Sequence, residues 1–213
     1  MRAKQANATE RGAGRLDRPH APRSLAVGVF ALLLIVAGAL AATLPQAQPQ
    51  SEPLSEYQIK AAFLYNFAKF VEWPGDAFSD SQAPIVLGIV GEDPFGKALD
   101  GVILGKTVNG RSLVVRRLRR GEDLRSCHIL FISLSEKRHL ARILESLKGS
   151  SVLTVGEADG FVQSGGVIQL LLEEGRVRFE INPDAAARAR LKISAKLMAL
   201  ARRVVPDRSG GND

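Results

Sequence analysis

The sequence predicts an α/β fold: a three-layer sandwich with a mixed, mostly parallel sheet, a C-terminal antiparallel hairpin and helices on both faces. Three observations carry this. Helical and extended segments alternate through the first two thirds of the domain. The runs IVLGIV (residues 85–90) and ILFI (129–132) are continuously apolar, which suits parallel strands covered on both sides. The last two extended segments flank Glu173-Glu174-Gly175, a hairpin turn. A purely parallel, flavodoxin-like sheet is the alternative.

The elements follow in order. Glu56–Pro74, EYQIKAAFLYNFAKFVEWP, reads as a helix with Ser55 as N-cap, ended by Trp73-Pro74 because proline disfavours helix in the residue before it. At 100° per residue, Ile59, Ala62, Phe63 and Phe70 share one side, with Phe67 and Val71 at its edge. Strands are expected over 85–90, 113–118, 128–132, 151–155, 167–172 and 176–181, and short helices over 95–102 and 136–147. A closing helix is expected over 183–205, since Ala186, Ala189, Ile193, Leu197, Leu200 and Val204 form an apolar stripe. Asn182 caps it, with Pro183 at its first position.

Ahead of the domain, residues 1–23 hold six basic and two acidic side chains, and 24–44 carry no charge. A basic start, an apolar stretch and small residues at Ala39-Leu40-Ala41 describe an export signal over 1–41. The apolar stretch is close to the roughly 20 residues that span a bilayer, so an uncleaved inner-membrane anchor is the alternative. Either way the flanking basic residues stay cytoplasmic and the domain is exported. Residues 42–53 form a Pro- and Gln-rich linker, 54–205 the folded domain and 206–213 a polar, disordered tail.

The net charge of +7 belongs largely to the leader, which carries four of those charges. With no basic, aromatic-interleaved motif, nucleic acid is not an expected partner. Cys127 is the only cysteine, so no intrachain disulfide forms, and its setting CHILFIS reads as a buried strand.

Catalytic and metal signatures are weak. Gly88-x-x-Gly91-Glu92-Asp93-Pro94 sits between a strand and a helix, but lacks GxGxxG and GK[ST], and its acids would repel an anion. It reads as a turn with Asp93 as N-cap and Pro94 at the first helical position. His128 and His139 are scattered, without metal spacing. No serine sits in G-x-S-x-G. The expectation is a non-enzyme with no cofactor and no metal. Arg111, Arg116, Arg117, Arg119, Arg120 and Arg125 form a basic stretch, read as a solvated strand end, with an anionic partner or lipid headgroups as its functional reading. Asn66 lies inside the apolar stripe, where it is either bonded to nearby backbone or lines a ligand pocket with Tyr65, Phe67 and Trp73.

Four blocks carry a resemblance: KAAFLYNFAKFVEWP (60–74), GEDPFGKALDG with GKTVNGR (91–111), CHILFIS with SVLTVG (127–156), and the run from Gly165 to Ala201. Their order and spacing resemble the YfiR family across the whole exported domain. The resemblance implies a periplasmic α/β regulator that dimerises and holds an inner-membrane diguanylate cyclase inactive through its periplasmic sensor region, lowering cyclic di-GMP and restraining biofilm formation. It marks Lys60, Phe63, Tyr65, Asn66, Phe67, Trp73, Pro74, Phe179, Asn182 and Ser194 as motif or pocket positions. The studied inhibitor uses disulfides and this chain has one cysteine, so redox control does not carry over. The rival expectation is a small-ligand-binding accessory protein of a receptor or histidine kinase.

Overall fold

The structure, a computed structural model, describes residues 55–119 and 121–205; the leader, the linker and the tail lie outside them. The chain begins with α1 (Glu56–Phe70), opened by a capping box in which Ser55 and Gln58 exchange side-chain and backbone hydrogen bonds. A short β1 (Val71–Glu72) follows. Then come β2 (Ile85–Val90), α2 (Lys97–Ile103), β3 (Thr107–Val108), β4 (Arg111–Leu118), β5 (Ile129–Ile132) and α3 (Leu140–Ser146). The chain continues through β6 (Leu153–Gly156), β7 (Ile168–Glu173), β8 (Arg176–Ile181), α4 (Pro183–Arg188), β9 (Lys192–Ile193), α5 (Ala195–Leu200) and β10 (Arg203–Val204).

Among the described residues, the main sheet has eight strands in the order β10-β8-β7-β6-β5-β2-β4-β3. Strands β4, β2, β5, β6 and β7 run parallel to their neighbours in that row. β8 turns back antiparallel on β7, β3 lies antiparallel on β4, and β10 joins β8 in parallel. The sheet is therefore mixed, and the purely parallel alternative is set aside. Glu174 and Gly175 carry the hairpin turn with φ of 49° and 72°, the doubly left-handed backbone that a two-residue turn between twisted strands needs.

Period-two alternation splits the strands between two cores. Ile85, Leu87 and Ile89 of β2, Ile129 and Phe131 of β5, and Leu153 and Val155 of β6 face α1, α2, α4 and α5. Val90, Leu130 and Ile132 face the opposite way, toward α3 and Phe161. Close approaches on that second side exclude side chains at several glycines. A Cβ on Gly88 would lie 2.5 Å from the Cys127 sulfur, and Cβ atoms on Gly156 and Gly166 would lie 2.3 and 2.1 Å from the Phe161 ring.

Four expectations are corrected. The closing helix is two short helices. Arg190 takes φ 57°, which breaks the first, and Lys192–Ile193 pairs antiparallel with Val71–Glu72 before Ser194 caps the second. The same ladder ends α1 at Phe70, ahead of the proline. The buried face of α1 is Lys60, Ala61, Leu64, Phe67 and Ala68, while Ile59, Ala62, Phe63 and Phe70 are only half-buried. The helix is apolar around most of its circumference, so the angular pattern left its orientation open. Asp93 does not cap α2, which starts at Lys97 after Gly96; it accepts instead from the Phe95 and Gly96 amides and tightens the preceding turn.

Candidate functional site

The positions marked in the sequence fall into three groups. The first gathers where α1 meets the loop after β6. Lys60 is 3% exposed, and its ammonium lies 2.5 Å from both the Glu157 and the Glu56 carboxylates. Tyr57 donates from its hydroxyl to Glu157 at 3.4 Å, and its ring lies under the Lys60 ammonium. Burial alone would push Lys60 down; the hydrogen bonds to Glu157 and Glu56 outweigh it and hold the ammonium above its ordinary value. Burial, reinforced by the Glu157 charge, raises the Tyr57 phenol. Glu157 was missed in the sequence because its partner is 97 residues away.

The second group is aromatic. Phe63, Phe67 and Phe179 meet with ring centroids 5.3–5.9 Å apart, joining α1 to β8. Asn182 is fully buried at the end of β8, where its amide donates to the Val162 carbonyl and its oxygen accepts from the Ala185 amide. Ser194 caps α5 by accepting from the Leu197 amide. Both residues set backbone geometry.

The third group surrounds His128. Its Nδ1 accepts from the Val86 amide at 3.1 Å, so the proton sits on Nε2 and is donated to the Ala77 carbonyl at 3.1 Å. Phe78 stacks on the imidazole at 4.4 Å, and Arg111 lies 3.8 Å over the other side of Phe78 while donating to the Asp80 and Ala83 carbonyls. Trp73 donates from its indole to the His128 carbonyl, and Pro74 precedes the 3₁₀ turn over Gly75–Ala77 that delivers Ala77. Burial holds the imidazole below its usual value. This is a neutral histidine locking a loop onto the sheet.

Of the expected pocket residues Tyr65, Asn66, Phe67 and Trp73, Trp73 faces a cavity beside His128. This small cavity of about 230 Å³ is lined by Trp73, Phe78, Val108 and Arg111, but by none of Tyr65, Asn66 and Phe67. Asn66 is half-buried, and its side chain makes no hydrogen bond among the described residues. A larger cleft, about 390 Å³, opens elsewhere, between α3 and the segment after β4. The basic stretch is largely committed to structure. Arg117 clamps Asp93, Asp100 and the Gly96 carbonyl; Arg116 donates to Ser126; Arg125 donates to the Ser146 and Lys148 carbonyls. Among the described residues, no group of three or more His, Cys, Asp or Glu side chains is placed to hold a metal ion. Among them, too, no helix is long and apolar enough to cross a membrane.

A protein-family model described as YfiR/HmsC-like matches residues 57–202. The chain belongs to that family. YfiR-like proteins are periplasmic, non-catalytic regulators associated with cyclic di-GMP signalling. Two solved structures are similar in part. A conserved domain protein from Vibrio cholerae O1 biovar El Tor is 13% identical, with a TM-score of 0.49 over 71% of this chain and 61% of that one. A Streptococcus pneumoniae ABC domain in complex with L-Trp is 10% identical, with a TM-score of 0.42 over 56% of this chain and 55% of that one. The chain thus spans under two thirds of the length of either.

Proposed function

We propose that this YfiR-like protein is an exported regulator that binds the periplasmic sensor region of an inner-membrane diguanylate cyclase, holds the enzyme inactive and so lowers cyclic di-GMP. The family match over residues 57–202 carries the reading. The outer edge of the sheet supports it. Leu200 of α5 and Val204 of the edge strand β10 are 62% and 40% exposed. Arg202 and Arg203 bind the buried Glu180 carboxylate at 2.9 and 3.0 Å, and Arg202 also reaches Glu173, so this edge is held rigid. A rigid apolar edge flanked by charge suits protein recognition. Inhibition requires preference for the partner's inactive state, because equal affinity for both states shifts nothing.

The test is cyclic di-GMP in a deletion strain against its complemented parent. A rise on deletion, reversed by the wild-type gene and not by a Leu200→Asp, Val204→Asp variant that is exported normally, is the expected result. Unchanged cyclic di-GMP under every attachment condition would sink the proposal. The second reading, a ligand-binding accessory protein of a receptor or kinase system, would use the cavity of about 230 Å³ that Trp73 lines.

A further inference from the structure

We propose that the cleft between α3 and the segment following β4 binds a small organic anion with an apolar body, an aromatic carboxylate being its simplest form. The cleft begins at the carboxyl end of β2, where Val90 lines it, beside the point where the chain passes from building the sheet on one side of β2 to the other, and runs along α3 as far as Ser146. Open α/β sheets form ligand crevices at such a position. Its volume of about 390 Å³ lies within the range of small-molecule sites.

The lining has the polarity such a ligand needs. Val90, Leu124 and Ile143 supply apolar walls continuous with the core on the α3 side. Arg119 and Arg142 stand at the rim from two different elements, both exposed. Neither guanidinium makes an ion pair or hydrogen bond among the described residues, unlike Arg116, Arg117 and Arg125 of the same surface. The nearby acids are turned to other partners. Asp123 accepts from the Arg125 amide and Glu122 from the Arg119 amide, each tightening its own turn, and Glu136 lies 3.1 Å from His139 Nδ1. Two uncommitted guanidiniums over an apolar wall favour a planar carboxylate that can be held in bidentate fashion, with its hydrocarbon part against Val90 and Ile143. The site is separate from the sheet edge carrying Leu200 and Val204, and the inference stands independently of the regulatory proposal.

The experiment titrates the ¹⁵N-labelled protein, freed of its leader, with 2-naphthoate and, in parallel, with the uncharged 2-naphthamide. The expected result is saturable shifts of the Val90, Leu124 and Ile143 amides with 2-naphthoate. The amide should bind about tenfold more weakly, the loss of one charge-assisted pair. Arg119→Gln and Arg142→Gln should each weaken 2-naphthoate severalfold with the rest of the spectrum unchanged. Arg138→Gln, exposed on the 3₁₀ turn before α3 and not lining the cleft, should leave binding as it was. No saturable shift up to millimolar ligand, equal binding of the amide, or shifts centred on α1 and β8 would overturn the proposal.

Discussion

Replacing Lys60 by methionine tests the polar cluster beneath α1. Lys60 and Glu157 are 4% and 8% exposed at their side chains, so the pair is buried, whereas Glu56 is 35% exposed and can return to water. Methionine keeps the hydrocarbon stem and removes the ammonium. Glu157 is then left as a buried carboxylate whose remaining side-chain donor is the Tyr57 hydroxyl at 3.4 Å. Removing one member of a buried ion pair costs about 3–5 kcal/mol, and the surviving hydroxyl places this case near 3. For a domain of this size that is a drop of roughly 6–12 °C in Tm. Urea unfolding followed by circular dichroism, with and without Glu157→Gln, measures it. The double variant should recover most of the loss, since neutralising Glu157 removes the stranded charge. A single-variant cost below about 1 kcal/mol, or strict additivity in the cycle, would refute the claim that Glu157 depends on Lys60.

Other perturbations follow from the packing. Gly166→Ala places a methyl 2.1 Å from the Phe161 ring, itself fully buried, so a cost of about 1–3 kcal/mol is expected in the same urea assay; a neutral result would show that Phe161 can move. Asn182→Ala removes the α4 cap and one of the two hydrogen bonds to the Val162 carbonyl, which keeps the Gly165 amide, so a cost of about 1–3 kcal/mol is expected and amide exchange in α4 should accelerate. His128 has a folded pKa below its unfolded value of about 6.5. Its neutral form therefore contributes stability that is fully present above that pH and is lost as pH falls through the folded pKa. Protonation also sets an Nδ1–H against the Val86 amide. A His128→Gln variant should show a flatter stability profile between pH 7 and pH 5; an unchanged slope would contradict this.

How far the sequence could be read depended on whether an element's determinants were local. β2 and β8 were placed at Ile85–Val90 and Arg176–Ile181 because their sequences carry an apolar run and a turn beside it. The closing helix failed for a non-local reason. Its stripe from Ala186 to Val204 keeps helical period, but Val71 and Glu72, more than a hundred residues earlier, draw Lys192 and Ile193 into a ladder. That same pairing ended α1. Among the site residues, Asn182 and Ser194 were legible as caps, whose partners lie three residues on. Lys60 was visible only as a motif position, because Glu157 comes to it through the fold. His128 looked scattered since Val86 and Ala77 reach it from distant loops and strands. Arg119 and Arg142 had no sequence signal connecting them; only the juxtaposition of α3 with the segment after β4 does so.

The central claim is a direct interaction with a membrane signalling enzyme. It is tested most directly by retaining proteins from native membranes on the tagged, leaderless protein and identifying them by mass spectrometry, with the Leu200→Asp, Val204→Asp variant as control. The account predicts recovery of a diguanylate cyclase through its periplasmic region by the wild type and its loss with the variant. Recovery of no cyclase, or equal recovery by both proteins, would contradict it.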